Sequence, residues 1–466
     1  MTEKEFLQTL RRGLGSAIIE LKNNVKKTEY RDVILRCCLR DISYDQQSEG
    51  TKGYYLYDAI LASGEPEYFE SIIIDKFHSR CNYGLLCQIA SILYRYAYDG
   101  SNLAKDALIA KYNFFVAKKG RLIQRPPQYE GWQWDEVAYR LLCIDGFTAF
   151  KQFAIVVGNI RLNNPCDRNA FDPWFICRAE NMFSKKRIDN FYNSMYEKSN
   201  AIKALVDSIK SDELSTEQER TEQDHVTVLA LVQAATDAAT DKNPRHKMYL
   251  NRKKIGLRSS FSFVTQASET EILELANSVL REENETVKAL LLNCFFCRKP
   301  FPLEISPLME YAQSENELLA EAAIECLKEF KDKRVHDLAV HLLKTKGLKS
   351  FALALLRKNY KKTDDVIIAG VIKKSASIPH HVQQDIQDIY NRFRSVYALP
   401  ILLHVYQKGE CSYCRKNIVS AMNHCGVLSD KILEECLFDS YDDTRKYAKR
   451  LIAKKRRNNE TMKDIF

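Results

Sequence analysis

Residues 317–330, Glu-Leu-Leu-Ala-Glu-Ala-Ala-Ile-Glu-Cys-Leu-Lys-Glu-Phe, decide how this chain folds. Leu319, Ala322, Ala323, Cys326, Leu327 and Phe330 recur at spacings of three and four, so one side of a helix is apolar and the other carries the charges. The stripe returns in Val287, Leu290, Leu291, Cys294 and Phe295, again in 348–356 and 418–425, and last in 442–457. In that last copy acids open the helix and bases close it, the order that suits the helix dipole. With a preceding apolar helix, each stripe makes a hairpin, and the hairpin pattern restarts near Thr270, Leu303, Arg334, Asp364, Val396 and Ser429. Successive starts differ by 33, 31, 30, 32 and 33 positions. A two-helix unit of this period cannot bury its apolar face alone and is stabilised by stacking on its neighbours. The reading is an all-α chain, an α-solenoid of stacked antiparallel helical hairpins.

The N-terminal half carries a looser version of the signal. Tyr57, Ile60, Gly64, Tyr68, Ile73 and Ile74 are matched 82 positions later by Tyr139, Leu142, Gly146, Phe150, Ile155 and Val156. In both copies an apolar helix ends at a glycine suited to a left-handed C-cap, and an aromatic-rich helix follows. Residues 83–98 and 103–117 read as another helical pair, and 5–21 with 30–39 as a first one. The organisation expected is therefore 1–210 of irregular helical hairpins, a linker region at 211–263, and 264–466 of about six regular hairpins.

Composition agrees with a helical core. The chain has 466 residues, 45% of them hydrophobic and 11% aromatic, with only 16 Gly and 11 Pro, too few breakers for a many-stranded sheet. No stretch approaches the ~20 consecutive apolar residues that span a bilayer, and 1–20 interleaves charges with apolar residues, so no membrane segment or leader is expected. The 14 cysteines are scattered, and Cys87, Cys143, Cys294, Cys326 and Cys436 fall on apolar helical positions, which suits a reducing, cytoplasmic setting. Cys294 with Cys297 and Cys411 with Cys414 have the spacing of zinc or redox pairs, but each pair lies one turn apart on a helix, and the reading is structural, with no metal and no cofactor.

Charge comes in blocks. Residues 211–241 hold eight acids and one base, 242–258 seven bases and no acid, 264–333 fourteen acids and seven bases, and 334–466 fourteen acids and twenty-five bases. Residues 211–224 are acidic without apolar periodicity and read as an exposed loop or linker. Two basic runs are candidate polyanion-binding sets: Arg245, Lys247, Arg252, Lys253, Lys254 and Arg258, and Arg445, Lys449, Arg450, Lys454, Lys455, Arg456 and Arg457. The bland account of the second is a solvated helix whose basic end complements its own dipole. An acidic segment beside a basic one suits a charged protein partner or head-to-tail self-association; nucleic acid is the alternative partner.

An acidic or Asn start, then Ala and Leu one turn apart, resembles the second helix of HEAT and armadillo-like repeats across the C-terminal 40 percent or so of the chain. That resemblance implies a curved binding surface and no catalytic residues. A second, local resemblance joins Gly131-Trp-Gln-Trp-Asp-Glu-Val and Trp174-Phe-Ile-Cys-Arg178 to the HEAT-like alkylpurine DNA glycosylases. It implies that Trp132 or Trp134 would face a damaged base, that Asp135 would stabilise positive charge developing on the sugar, and that Arg178 would hold a phosphate. The first motif departs from the family in having Gln133 between its tryptophans. The structural alternative for these aromatics is to plug the gap between two hairpins of unequal length. No Walker loop, no Gly-x-Ser-x-Gly elbow and no His-Glu-x-x-His helix occurs. His336 and His341 read as exposed histidines on a helix surface. Function is thus expected to be binding or scaffolding of a protein partner, with nucleic-acid binding, including glycosylase-like base excision, as the alternative.

Overall fold

The computed structural model describes residues 1–24, 27–119, 130–163, 174–221, 226–240, 263, 266–295, 300–347 and 351–463. Among them all regular structure is helical, with a single isolated bridge between Ile378 and Gly409. None of these helices is long and apolar enough to cross a membrane. Two units form: Met1–Arg220 with Cys411–Tyr413 and Asp430–Phe466, and Thr221–Glu410 with Cys414–Ser429.

The first unit opens with α1 (Glu3–Arg12), which Thr2 and Glu5 cap reciprocally. Gly13 then turns left-handed at φ 75°, its amide and that of Leu14 donating to Leu10 and Thr9. That cap breaks the apolar run 5–21, read as one helix, into α1 and α2 (Gly15–Asn23). There follow α3 (Arg31–Cys38), α4 (Gln46–Glu49), α5 (Gly53–Ser63), α6 (Pro66–His78), α7 (Tyr83–Tyr98) and α8 (Asn102–Lys119). Then come α9 (Glu130–Asp145), α10 (Phe147–Asn163), α11 (Trp174–Met182), α12 (Lys185–Met195) and α13 (Asn200–Thr221). Gly64 and Gly146, the matched pair, both have positive φ, at 83° and 59°. α7 is the central helix, buried from Leu85 to Leu93 and packed against α5, α6, α8 and α9. The acidic stretch 211–224, read as a loop, is helical as far as Thr221. Glu, Gln and Arg are good helix formers and need no apolar stripe to continue a solvated helix.

The second unit contains α14 (Val228–Thr240), α15 (Glu269–Arg281), α16 (Glu285–Leu292), α17 (Ser306–Tyr311), α18 (Glu317–Leu327) and α19 (Lys333–Thr345). It continues with α20 (Leu356–Asn359), α21 (Asp365–Lys373), α22 (His380–Phe393), α23 (Leu399–Lys408) and, from Cys414 onward, α24 (Ser412–His424). Alternate helices pack on one another: α14 on α16, α16 on α18 and α20 on α22, with α19 on α21 and α21 on α23. Asn284 and Asn316 cap α16 and α18 with their side-chain oxygens, so the Asn at each stripe's start is a local stop signal before the helix. His336 is buried, not exposed. Its Nε2 lies 3.2 Å from both oxygens of the buried Asp364, and its Nδ1 lies 3.0 Å from Asp337.

The chain's last two helices, α25 (Asp430–Cys436) and α26 (Asp442–Lys463), belong to the first unit, where α2 packs on α25 and the Ser440 amide donates to Gly13. Nearby, a buried ion pair ties three segments of that unit. Lys52 Nζ lies 3.3 Å from Glu49 and donates to the carbonyls of Arg11 and Ile42. Glu49 accepts from the Ser412 amide and hydroxyl at 2.8 and 2.7 Å and from the Tyr44 amide at 2.6 Å. Burial pushes the Glu49 carboxyl up, but Lys52 and the Ser412 and Tyr44 donors outweigh it and leave the net pKa below the usual carboxylate value. A depressed folded pKa gives stability that is present above the unfolded carboxylate pKa and lost as pH falls through the folded one. Urea midpoints should therefore drop on acidification below the ordinary Glu range, and Glu49→Gln should be less stable than the parent at neutral pH with a flatter acid limb. An acid limb unchanged by Glu49→Gln would place the titration elsewhere.

Candidate functional site

A cluster of buried ionisable groups in the first unit is built on α9. Asp135, Glu136, Tyr139 and Arg140 lie within two turns of one helix, and Glu136 and Arg140 meet at i and i+4. All three charged residues are buried. Arg140 Nη2 donates to Glu136 and Nη1 to the Tyr54 hydroxyl of α5 at 2.6 Å. From α11, Arg178 Nη1 reaches to 3.4 Å from Glu136 and 3.6 Å from Asp135, and its guanidinium stacks 4.5 Å over the Tyr139 ring. Two carboxylates thus face two guanidinium groups, and the formal charge of the cluster cancels. Around it burial drives the neutral state of several acids: Tyr54 and the Cys87 thiol are each pushed up to about 12, and Cys143 and Tyr139 are raised. No thiolate nucleophile is held ready by such surroundings.

Asp135 and Arg178, placed 43 positions apart in the sequence (178 − 135), are thus brought together. Trp132 and Trp134 belong to α9, but their side chains lie outside the described set. Glu136, Arg140 and Tyr54 complete the cluster without having been singled out in the sequence. The i, i+4 spacing of Glu136 and Arg140 was the available signal; the Tyr54 contact, 86 positions away, had none.

The basic sets separate. Arg245, Lys247, Arg252, Lys253, Lys254 and Arg258 lie outside the described residues. Arg445, Lys449, Arg450, Lys454, Lys455, Arg456 and Arg457 all stand on α26. Arg445 is engaged by Asp442 and the Asp439 carbonyl, and Lys455 by Asp430 at 2.5 Å. Lys449, Arg450, Lys454 and Arg456 are exposed and ion-pair with no carboxylate among the described residues.

In the second unit an open groove holds Arg357 with Asp388 and Lys358 with Glu329 at 2.7 Å, and Lys328 and Arg392 line it as well. His380 Nδ1 lies 3.3 Å from the Sγ of buried Cys414. Cys297 lies outside the described residues, and the described cysteines are free thiols, most of them buried. No family model, no curated protein and no solved structure matches this chain.

Proposed function

We propose that this chain is a HEAT-like helical-repeat binding protein, an α-solenoid of stacked hairpins that presents a charged surface to an acidic protein partner. The repeat reading is supported by the 30 to 33-residue period of the hairpin starts together with the alternate packing of α14, α16 and α18 and of α19, α21 and α23. The binding reading rests on one observation: Lys449, Arg450, Lys454 and Arg456 of α26 are exposed and ion-pair with no carboxylate among the described residues, whereas the ionisable groups of the α9 cluster neutralise one another. Asp135 and Arg178 serve there as partners in an ion-pair network joining α9 to α11.

At 3.6 residues per turn the four cations fan over roughly half the circumference of α26, wider than the single line along which a phosphate backbone runs. A partner with several acidic side chains meets such a fan more fully than a duplex does. The test is binding of labelled polyglutamate and of duplex DNA and RNA to the full chain at about 50 and 200 mM salt, a range over which phosphate contacts weaken steeply. Polyglutamate should bind, and reversing Lys449, Arg450, Lys454 and Arg456 to Glu should weaken it at least about tenfold, or about 1.4 kcal/mol, without lowering Tm. Nucleic acid bound with a steep salt slope that the same reversal abolishes, with polyglutamate ignored, would replace the protein partner by a polyanionic nucleic acid.

A further inference from the structure

Two successive hairpin turns of the second unit are locked edge to edge. Asp365, at the start of α21, accepts from the Tyr360 hydroxyl at 2.8 Å and the Tyr390 hydroxyl at 2.6 Å through Oδ1, and from Ser395 Oγ at 3.1 Å through Oδ2. The Tyr360 ring also packs against Phe393 at 5.1 Å and Tyr390 at 5.9 Å. Val366 directly follows Asp365, and Val396 directly follows Ser395, so one valine adjoins each side of the Asp365–Ser395 hydrogen bond. Neither is covered: Val366 is 78% exposed, Val396 64% and the adjoining Tyr397 71%. Side chains of this kind in isolation are ordinary, but these three follow the residues through which hydrogen bonds join the two turns.

The charge beside them has one sign. Lys362 and Arg394 are exposed and form no ion pair among the described residues. Asp364 is engaged by His336 and the Lys361 amide, Asp365 by its three hydroxyls, Asp388 by Arg357, and the exposed Asp337 by His336. Residues 389–400 contain no Asp or Glu at all. Arg394 sits in the left-handed region at φ 46°, ψ 56°, a conformation that only a well-determined turn keeps for a non-glycine residue.

We infer that this edge is a docking site for an acidic segment of a partner protein, which lays an apolar side chain against Val366, Val396 and Tyr397 and sets carboxylates on Lys362 and Arg394. The occupant follows from complementarity: the surface offers apolar area beside the exposed cations Lys362 and Arg394. Three apolar side chains are too small an area to anchor the edge in a bilayer, where membrane-surface elements use a long amphipathic face. The site uses none of the cations of α26, and either can fail without the other.

The test uses the full chain and a short labelled peptide, acidic except for one phenylalanine and one leucine, read by fluorescence anisotropy. The peptide should bind. Val396→Ser with Tyr397→Ser should weaken it about tenfold or more, as should Lys362→Glu with Arg394→Gly, the glycine keeping the left-handed turn. A peptide of the same charge lacking both apolar residues should bind at least about tenfold more weakly, and the four α26 reversals should leave the apolar peptide's affinity unchanged. An affinity lost with the α26 reversals but untouched by the edge variants would overturn the docking site while leaving the proposed function standing. No binding of the peptide, with polyglutamate still bound, would also overturn it. So would capture of phosphatidylserine vesicles or single-stranded RNA, but not of the peptide, by the same four edge residues. Unchanged far-UV circular dichroism and Tm of each variant separate these outcomes from unfolding.

Discussion

Gly15→Ala should lower stability by about 2–3 kcal/mol, the usual cost of forcing an extra methyl group into a closed contact. A Cβ built on Gly15 lies 1.9 Å from the carbonyl oxygen of Glu435 and 2.9 Å from its carbonyl carbon, so α2 and α25 touch backbone to backbone. No flexible side chain is available to swing aside, and the helices must separate. In a free helix the same change would be favourable by about 1 kcal/mol, because alanine loses less backbone entropy than glycine. Gly370 of α21 has nothing within 4 Å of its ideal Cβ and supplies the control: Gly370→Ala should raise the urea midpoint as Gly15→Ala lowers it. The loss should also be local. Backbone amides of α25 and α26 should exchange faster in Gly15→Ala, and the ring contact of Lys22 over Phe438, at 4.1 Å, should open. Equal and favourable shifts from both alanines would mean that the two helices do not approach as described.

Glu136→Ala should cost about 3–5 kcal/mol, because it leaves the buried guanidinium of Arg140 without its carboxylate. The remaining direct partner is the neutral Tyr54 hydroxyl, and Arg178 adds a second cation that had shared Glu136. Glu136→Gln retains an acceptor oxygen and should lose less. Replacing both members of the pair, as Glu136→Met with Arg140→Met, should recover most of the single-variant loss, since a buried pair often only offsets its own desolvation. The four denaturation free energies form a double-mutant cycle, and a coupling near zero would show that Glu136 and Arg140 do not interact in solution.

Helices were legible in the sequence wherever an apolar stripe met a start or stop signal. The stripe of 317–330 became α18 with Asn316 as its cap, and the paired Gly64 and Gly146 ended their helices with positive φ. Those features depend on neighbours three or four positions away, which a sequence displays directly. Where the local signals were ambiguous the reading failed: Gly13 divided a run taken as one helix, and good helix formers extended α13 through an acidic stretch taken as a loop. His336 was misread for a different cause, since its burial comes from Asp364, 28 positions on.

The sequence by itself determined that this chain is helical, where most of its helices lie, and that its charge is segregated. Only the tertiary structure decided that α25 packs with α2, through a glycine that reads in the sequence as a weak helix residue. It likewise decided that Asp135 and Arg178 meet as partners, and that Val366, Val396 and Tyr397 stay outside. Periodicity reports which face of a helix is apolar, whereas contact between distant segments depends on backbone approach and on which charges find each other, neither of which has a period.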